Sequence, residues 1–321
     1  MCLYPKIIKN PRFTENKKNK GCVPICTDYR KLYIPVGCGE CFECRKQKAQ
    51  QWRVRLMEEI KVQKYKYFVT LTFSPSSLSQ LKNEVDGEKL NAIATLAVRR
   101  FLERYRKRYG KSCKHWLITE LGQDESERIH LHGILMPEQE MTIEELNELW
   151  KYGKSDNGKY VNERTINYII KYVTKIDAKH KTYKPIILCS AGLGASYTNS
   201  IAAKMKYRYR KGQTPEDYEF NNGRKTALPI YYRNKFYTEE ERNKMWTDRL
   251  DKGEIYVNGI KIRNIDSEES QKAYARILTS MQEWNESIGF GNRSKEWQKE
   301  EYNVTFKMLQ QGRKKIVNTE N

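Results

Sequence analysis

Two apolar, β-branched runs separated by a polar stretch constrain this chain most. His115-Trp-Leu-Ile-Thr-Glu120 reads as a strand, residues 122–128 as a polar turn, and Ile129 to Met136 as a second strand. Together they predict a β-hairpin. Within it, Ile129-His130-Leu131-His132-Gly133 sets two histidines two positions apart. Side chains on a strand alternate between faces, so His130 and His132 point the same way. With four histidines in 321 residues, chance yields about 0.05 such pairs, so the spacing is informative. Imidazoles on one face can share a divalent metal, and Glu120 on the preceding strand offers a carboxylate oxygen.

Tyr67-Phe-Val-Thr-Leu-Thr-Phe73 is a third strand signal, stopped by Ser74-Pro75. Helical patterns over 42–66, 90–109, 142–151 and 164–175 alternate with these strands, and Thr142 with Glu145 forms a capping box. Residues 152–160 read as a Gly/Lys/Asp/Asn loop. The expectation over 42–176 is an α+β fold, an antiparallel sheet with flanking helices. Residues 1–37 read as irregular or short-strand structure. Polar helices near 238–250, 267–288 and 295–312 predict a mainly helical C-terminal extension, with 313–321 frayed. Three regions are expected: a Cys-rich basic N-terminal region (1–60), a catalytic domain (61–180) and a basic accessory region (181–321).

Lys+Arg is 60 against 40 Asp+Glu, a net charge of +20. A field of that size points to a polyanionic partner, most commonly nucleic acid. The charge clusters in the helix after Cys44, at 99–108 and at 204–211, which reads as a cradle for single-stranded DNA. The last cluster interleaves basic and aromatic residues. It reads equally as a base-stacking surface or as an edge strand blunted by charge. No stretch approaches the roughly 18 consecutive apolar residues of a membrane span. The first twenty residues lack the apolar core of a signal peptide, and no strongly apolar helix face favours a membrane surface. A soluble, cytoplasmic protein without a membrane partner is the expectation.

Five of the eight cysteines fall between 22 and 44: Cys22, Cys26, Cys38, Cys41 and Cys44. In a reducing compartment, clustered thiols are more often metal ligands than disulfides. Four thiolates satisfy tetrahedral Zn2+, so five candidates compete for four positions of a structural zinc. The alternative is that some are small buried residues.

Tyr168-Ile-Ile-Lys171-Tyr172-Val-Thr-Lys175 is the other unusual segment. At about 100° per residue, Tyr168, Tyr172, Lys171 and Lys175 share one side of a helix. Ile166, Ile169, Ile170 and Val173 take the other. The Tyr-x-x-x-Tyr spacing alone says little: 22 tyrosines yield about 1.5 by chance. Its lysines and its face distinguish this one from an ordinary solvated surface. A tyrosine hydroxyl can attack phosphorus covalently. With a pKa of about 10, it needs a metal or a cation to form phenolate.

Phe68-Val-Thr-Leu-Thr-Phe73, the histidine pair and the tyrosine helix stand in the chain order of HUH-type rolling-circle replication initiators, which the chain resembles. Cys38-Gly-Glu-Cys-Phe-Glu-Cys-Arg45, Gln51-Trp-Arg-Val-Arg55, Thr119-Glu-Leu-Gly122 and Leu228-Pro-Ile-Tyr-Tyr-Arg-Asn-Lys235 are similar to initiators of gokushovirus-like microviruses, small single-stranded DNA phages. The similarity spans about 38–235. It implies an HUH endonuclease, ferredoxin- or RRM-like, in which His130, His132 and Glu120 hold Mg2+ or Mn2+ at the scissile phosphate. Tyr168 and Tyr172 then alternate as nucleophiles, first forming a 5′-phosphotyrosine link and freeing a 3′-OH primer, later joining the strand. Lys171 and Lys175 orient the phosphate or assist the phenolate. Implied partners are single-stranded or supercoiled origin DNA and the host helicase and replication machinery. Two other readings are a two-tyrosine transposase or plasmid initiator, and a non-catalytic zinc-stabilised DNA- or RNA-binding regulator.

Overall fold

The strands form where apolar and β-branched residues alternate, and the helices where apolar residues recur every three or four positions. A computed structural model describes residues 2–17, 19–85, 90–123, 127–158, 160–177, 179–180 and 183–290. In chain order its elements begin with β1 (Lys6–Lys9), β2 (Tyr33–Val36), α1 (Phe42–Val62), β3 (Tyr67–Leu71), α2 (Pro75–Glu84) and α3 (Leu90–Tyr109). They continue with β4 (Lys114–Leu121), β5 (Ile129–Met136), α4 (Ile143–Trp150), β6 (Ser155–Gly158), α5 (Glu163–Thr174), β7 (Ile187–Cys189), α6 (Ala195–Asn199) and α7 (Ile201–Lys206). The last are β8 (Asp217–Glu219), β9 (Lys225–Ala227), α8 (Ile230–Phe236), α9 (Glu239–Asp251), β10 (Ile255–Val257), β11 (Ile260–Ile262) and α10 (Glu268–Ser287). The α+β expectation holds, with an antiparallel sheet, flanking helices and a helical C-terminal region. The helix expected at 295–312 and the frayed end at 313–321 lie outside the described residues.

The chain divides into two compact units. One comprises 48–209 and 214–238; the other comprises 1–47, 210–213 and 239–321. The first is built on a five-stranded sheet in the order β6-β3-β5-β4-β7, every pair antiparallel. The β4–β5 hairpin is its centre. Val69, Leu71, Leu117, Leu131 and Leu135 face one way, into a core with Ile93, Ala97, Val98 and Phe101 of α3. That stripe on α3 recurs every three or four residues, as a helix covering a sheet requires. Burying such side chains stabilises by about 1.5–3 kcal/mol each. The opposite face carries Phe68, Thr70, Glu120, His130 and His132, and here α1 approaches through Trp52, whose ring centroid is 6.0 Å from that of Trp116.

Two sequence expectations change in this unit. Residues 155–158 form β6, not loop, because they pair with Phe68–Leu71 at the sheet edge. Segment 204–211 is no edge strand: its first residues end α7, and Tyr207 is buried against Phe236 (4.7 Å between centroids), its hydroxyl donating to the Asp217 carbonyl at 3.0 Å. That ring is core and cannot stack on a base. The basic tail of α3 is also used within the fold. Arg100 pairs with Glu84, Arg104 donates to the carbonyls of Leu149 (2.7 Å) and Trp150 (3.0 Å), and Arg108 pairs with Glu148 (2.6 Å). These three cations hold α3 against α2 and α4, on the sheet face opposite the histidines.

The second unit has smaller parts. β1 pairs with β2, and β10 with β11. Asn258-Gly259 joins β10 to β11 with φ +47° and +81°, the two positive values of a type I′ hairpin turn. Val257, Ile262 and Ile265 pack with Tyr274 and Leu278 of α10 and with Cys2, Leu3 and Tyr4.

Gly133 has no room for a side chain. A Cβ there would lie 2.0 Å from the Trp116 carbonyl oxygen and 2.8 Å from Leu117 Cα, both backbone on β4. Gly133→Ala must therefore push the two central strands apart, and chemical denaturation should show a loss of about 2 kcal/mol or more. His115, at the start of β4, is buried with its Nδ1 3.0 Å from Ser190 Oγ and 3.1 Å from the Cys113 carbonyl. Burial lowers its pKa from the ordinary value of about 6.5. The unfolded chain takes up that proton more readily than the fold does. The stability linked to His115 is thus complete above about pH 6.5 and is lost as pH falls toward the lower folded value. His115→Gln should flatten this part of the stability–pH curve, read by thermal melts between about pH 7.5 and 5.

Candidate active site

The register of β4 and β5 sets Glu120 opposite His130 and Ile118 opposite His132, while β3 sets Thr70 on the other side of His132. Positions 118, 120, 130, 132 and 70 then share one face. Glu120 Oε2 lies 3.3 Å from His130 Nε2 and 3.2 Å from His132 Nε2. One ligand atom from each of the three falls within 4.8 Å of the others. Two ligands at about 2.1 Å in adjacent octahedral positions stand roughly 3.0 Å apart, so the two measured spacings suit a single ion. An N2O set leaves positions open for water or phosphate oxygens.

The outer partners orient the rings. His130 Nδ1 lies 3.2 Å from the Arg128 carbonyl, to which it donates, and this leaves Nε2 as the lone-pair nitrogen. Thr70 Oγ1 is 3.1 Å from His132 Nδ1. Burial drives the Glu120 carboxyl pKa up, but hydrogen bonds from His130, His132 and Lys175 outweigh it and hold the group below its ordinary range. Glu120 is therefore a carboxylate at neutral pH.

α5 supplies the tyrosines. Asn162 caps it, its Oδ1 accepting from the N–H groups of Arg164 (2.9 Å) and Thr165 (3.1 Å), with Thr165 closing the capping box. Ile166, Ile169, Ile170 and Val173 are buried, and the other side of the helix faces the histidines. The Tyr172 ring stacks on His132 at 4.7 Å and 16°. Tyr168 packs edge-on to Phe68 at 5.8 Å. The two tyrosine hydroxyls are hydrogen-bonded to each other at 2.8 Å. Burial, the bond to Tyr168 and the nearby Glu120 charge all raise the Tyr172 pKa. Lys175, just past the helix end, pairs with Glu120 and lies 5.7 Å from the Tyr172 ring centroid. Lys171 is exposed on α5, outside this cluster. The other two tyrosine pairs of the same spacing lie elsewhere: Tyr105 and Tyr109 pack in and against the core under the sheet, and Tyr29 and Tyr33 belong to the other unit.

A cleft of about 780 Å3 opens beside the histidines, lined by Thr70, Ser74, Arg128, His130, His132 and Lys154 among others. Sequence reading missed Thr70, Phe68, Arg128 and Lys154. The register of β3 against β5 was the signal for the first two; Lys154 comes near only because residues 155–158 form a strand.

The cysteines separate. Cys2, Cys38, Cys41 and Cys44 bring their sulfurs within 4.8 Å of one another. Cys22 is exposed, and Cys26 donates its thiol to the Asp28 carbonyl at 3.2 Å. The structure thus places Cys22 and Cys26 outside the group and adds Cys2, which no spacing rule connects to the others.

A five-stranded antiparallel sheet that carries a His/Glu cluster under a tyrosine helix defines this unit's class. Residues 66–177, which hold β3 to β6, α5 and every member of the cluster, match a family model described as replication-associated protein of the ORF2 type. That match supports a role in replication initiation. No curated protein and no solved structure gives a significant match to this chain. No helix among the described residues is long and apolar enough to cross a membrane.

Thr70→Val removes the partner of His132 Nδ1 while keeping the strand and the shape. Binding of Mn2+ to the purified protein, followed by electron paramagnetic resonance, should weaken by about 10-fold.

Proposed function

We propose that this protein is a rolling-circle replication initiator of the HUH type, similar to those of gokushovirus-like microviruses, which nicks and rejoins single-stranded origin DNA in the cytoplasm of a bacterial host. The observation that carries this reading is the contact of Tyr172 with both His132 and Tyr168, directly beside Glu120.

The chemistry assigned to each group follows from position. His130, His132 and Glu120 would hold Mg2+ or Mn2+, which when bound supplies charge neutralisation and orientation at the scissile phosphodiester. Tyr172 or Tyr168 attacks phosphorus through its hydroxyl oxygen. The new O–P bond replaces the bond to the 3′ oxygen, which departs with a proton as a 3′-OH primer. The ester retains the energy of the broken bond, so rejoining by a 3′-OH needs no nucleotide cofactor. The raised pKa of Tyr172 opposes phenolate formation, chiefly through burial. Positive charge near Glu120 counters the electrostatic part. Lys175 is already placed for this, between the carboxylate and the ring. Arg128 and Lys154 in the cleft are suited to the flanking phosphates. Host helicase and replication enzymes complete the process.

The test uses circular single-stranded DNA carrying the origin, with Mn2+, and reads covalent protein–DNA adduct on a denaturing gel. Tyr168→Phe and Tyr172→Phe should each retain adduct at reduced level, and the double variant should give none. His130→Ala with His132→Ala should lower adduct by about 100-fold or more, the scale of a lost metal-centred step. Adduct persisting without both tyrosines overturns the assignment.

A further inference from the structure

The second unit holds a cluster that the replication chemistry does not use. Cys2, Cys38, Cys41 and Cys44 converge from two segments far apart in sequence, and all four thiols are free. Cys2 Sγ and Cys41 Sγ are 3.9 Å apart. That is far beyond a disulfide bond of about 2.05 Å. It matches the roughly 3.8 Å edge of a tetrahedron with metal–sulfur bonds of about 2.3 Å.

The backbone is arranged around sulfur. Cys2 Sγ accepts from the N–H groups of Tyr4 (3.3 Å) and Cys38 (3.2 Å), and Cys38 Sγ accepts from the Cys41 N–H (3.3 Å). Such donors stabilise thiolates and orient them toward a common point. Gly39, between Cys38 and Cys41, has φ +77°, which lets the turn fold back so that the Cys41 N–H meets Cys38. Gly37 lies against the cluster as well: a Cβ there would stand 3.1 Å from Cys44 Sγ. Cys41 immediately precedes α1 and Cys44 sits in its first turn, where the exposed N–H groups favour negative charge.

We propose that Cys2, Cys38, Cys41 and Cys44 form a structural Zn2+ site that ties the first residues of the chain to the start of α1. Four sulfurs around one point select zinc. A multi-iron cluster would hold its cysteines farther apart, because iron and sulfide sit between them. The site closes a loop from residue 2 to residue 38 and sits in the apolar cluster with Leu3, Tyr4, Val257, Tyr274 and Leu278. This unit's sheets are two-stranded and its core is small, a situation in which a metal staple supplies much of the stability.

The full-length protein, purified without chelator, is assayed for metal by mass spectrometry and then loaded with Co2+. Cobalt reports sulfur ligation through its thiolate charge-transfer band, so the His/Glu cluster does not contribute to the readout. Zinc at one equivalent or more, and a charge-transfer band saturating at one cobalt per chain, are expected. Cys2→Ser and Cys38→Ser should each remove or strongly shift that band, whereas Cys22→Ser and Cys26→Ser, cysteines of the same region outside the cluster, should leave it intact. If the cluster variants do not fold, wild-type protein stripped of metal and reloaded with Co2+ still decides by its band. No thiolate band, iron with sulfide in place of zinc, or loss of the band in the Cys22 or Cys26 variants overturns the proposal.

Discussion

The pairing of β4 with β5 is the constraint on which the site depends. A strand's side chains alternate with a period of two, so a slip of one residue would send Glu120 or the two histidines into the α3 core. Several local features oppose that slip. Leu117, Leu131 and Leu135 are buried on the other face. Gly133 accepts the close approach of the Trp116 carbonyl, and no other residue of β5 could stand there without displacing backbone. The glycine after the second histidine is thus part of what aims the histidines, although it touches neither.

The electrostatics of the site follow from that alignment. One carboxylate receives two imidazoles and an ammonium, and this holds it ionised despite burial. The same negative charge contributes to the raised pKa of the neighbouring Tyr172. Charge here is balanced among close neighbours, while elsewhere the basic surplus is partly committed to packing. Arg55 lies over the rings of Trp52 (4.3 Å) and Tyr231 (4.1 Å) and donates to the Leu193 carbonyl, and Arg104 ties α3 to the end of α4. A net charge therefore measures the pull toward a polyanion less directly than the count of basic residues implies.

Much of this was legible in the sequence because it rests on period. The hairpin, the 90–109 helix and the two sides of α5 all follow from alternation or helical spacing, and so does the common face of His130 and His132. What period cannot supply is partnership between distant segments. Thr70 meets His132 only through the β3–β5 register. Cys2 joins cysteines far along the chain, while the nearer Cys22 and Cys26 do not. β6 has almost no apolar residues and forms because β3 offers it an edge. The Asn258-Gly259 turn, by contrast, is a strong local signal between two short apolar runs, and it marks a hairpin that charge and polarity in that region obscure.

The hydrogen bond between Tyr168 and Tyr172 carries a further consequence. As free phenols the two are interchangeable: either oxygen donates while the other accepts. Once one oxygen is bonded to another group, it has no proton left to give, and the direction of the bond is fixed. The free tyrosine becomes the sole donor, its proton pointing at the oxygen of its modified neighbour. The pair thus holds a one-bit record of which side chain is occupied, written in the orientation of a single O–H.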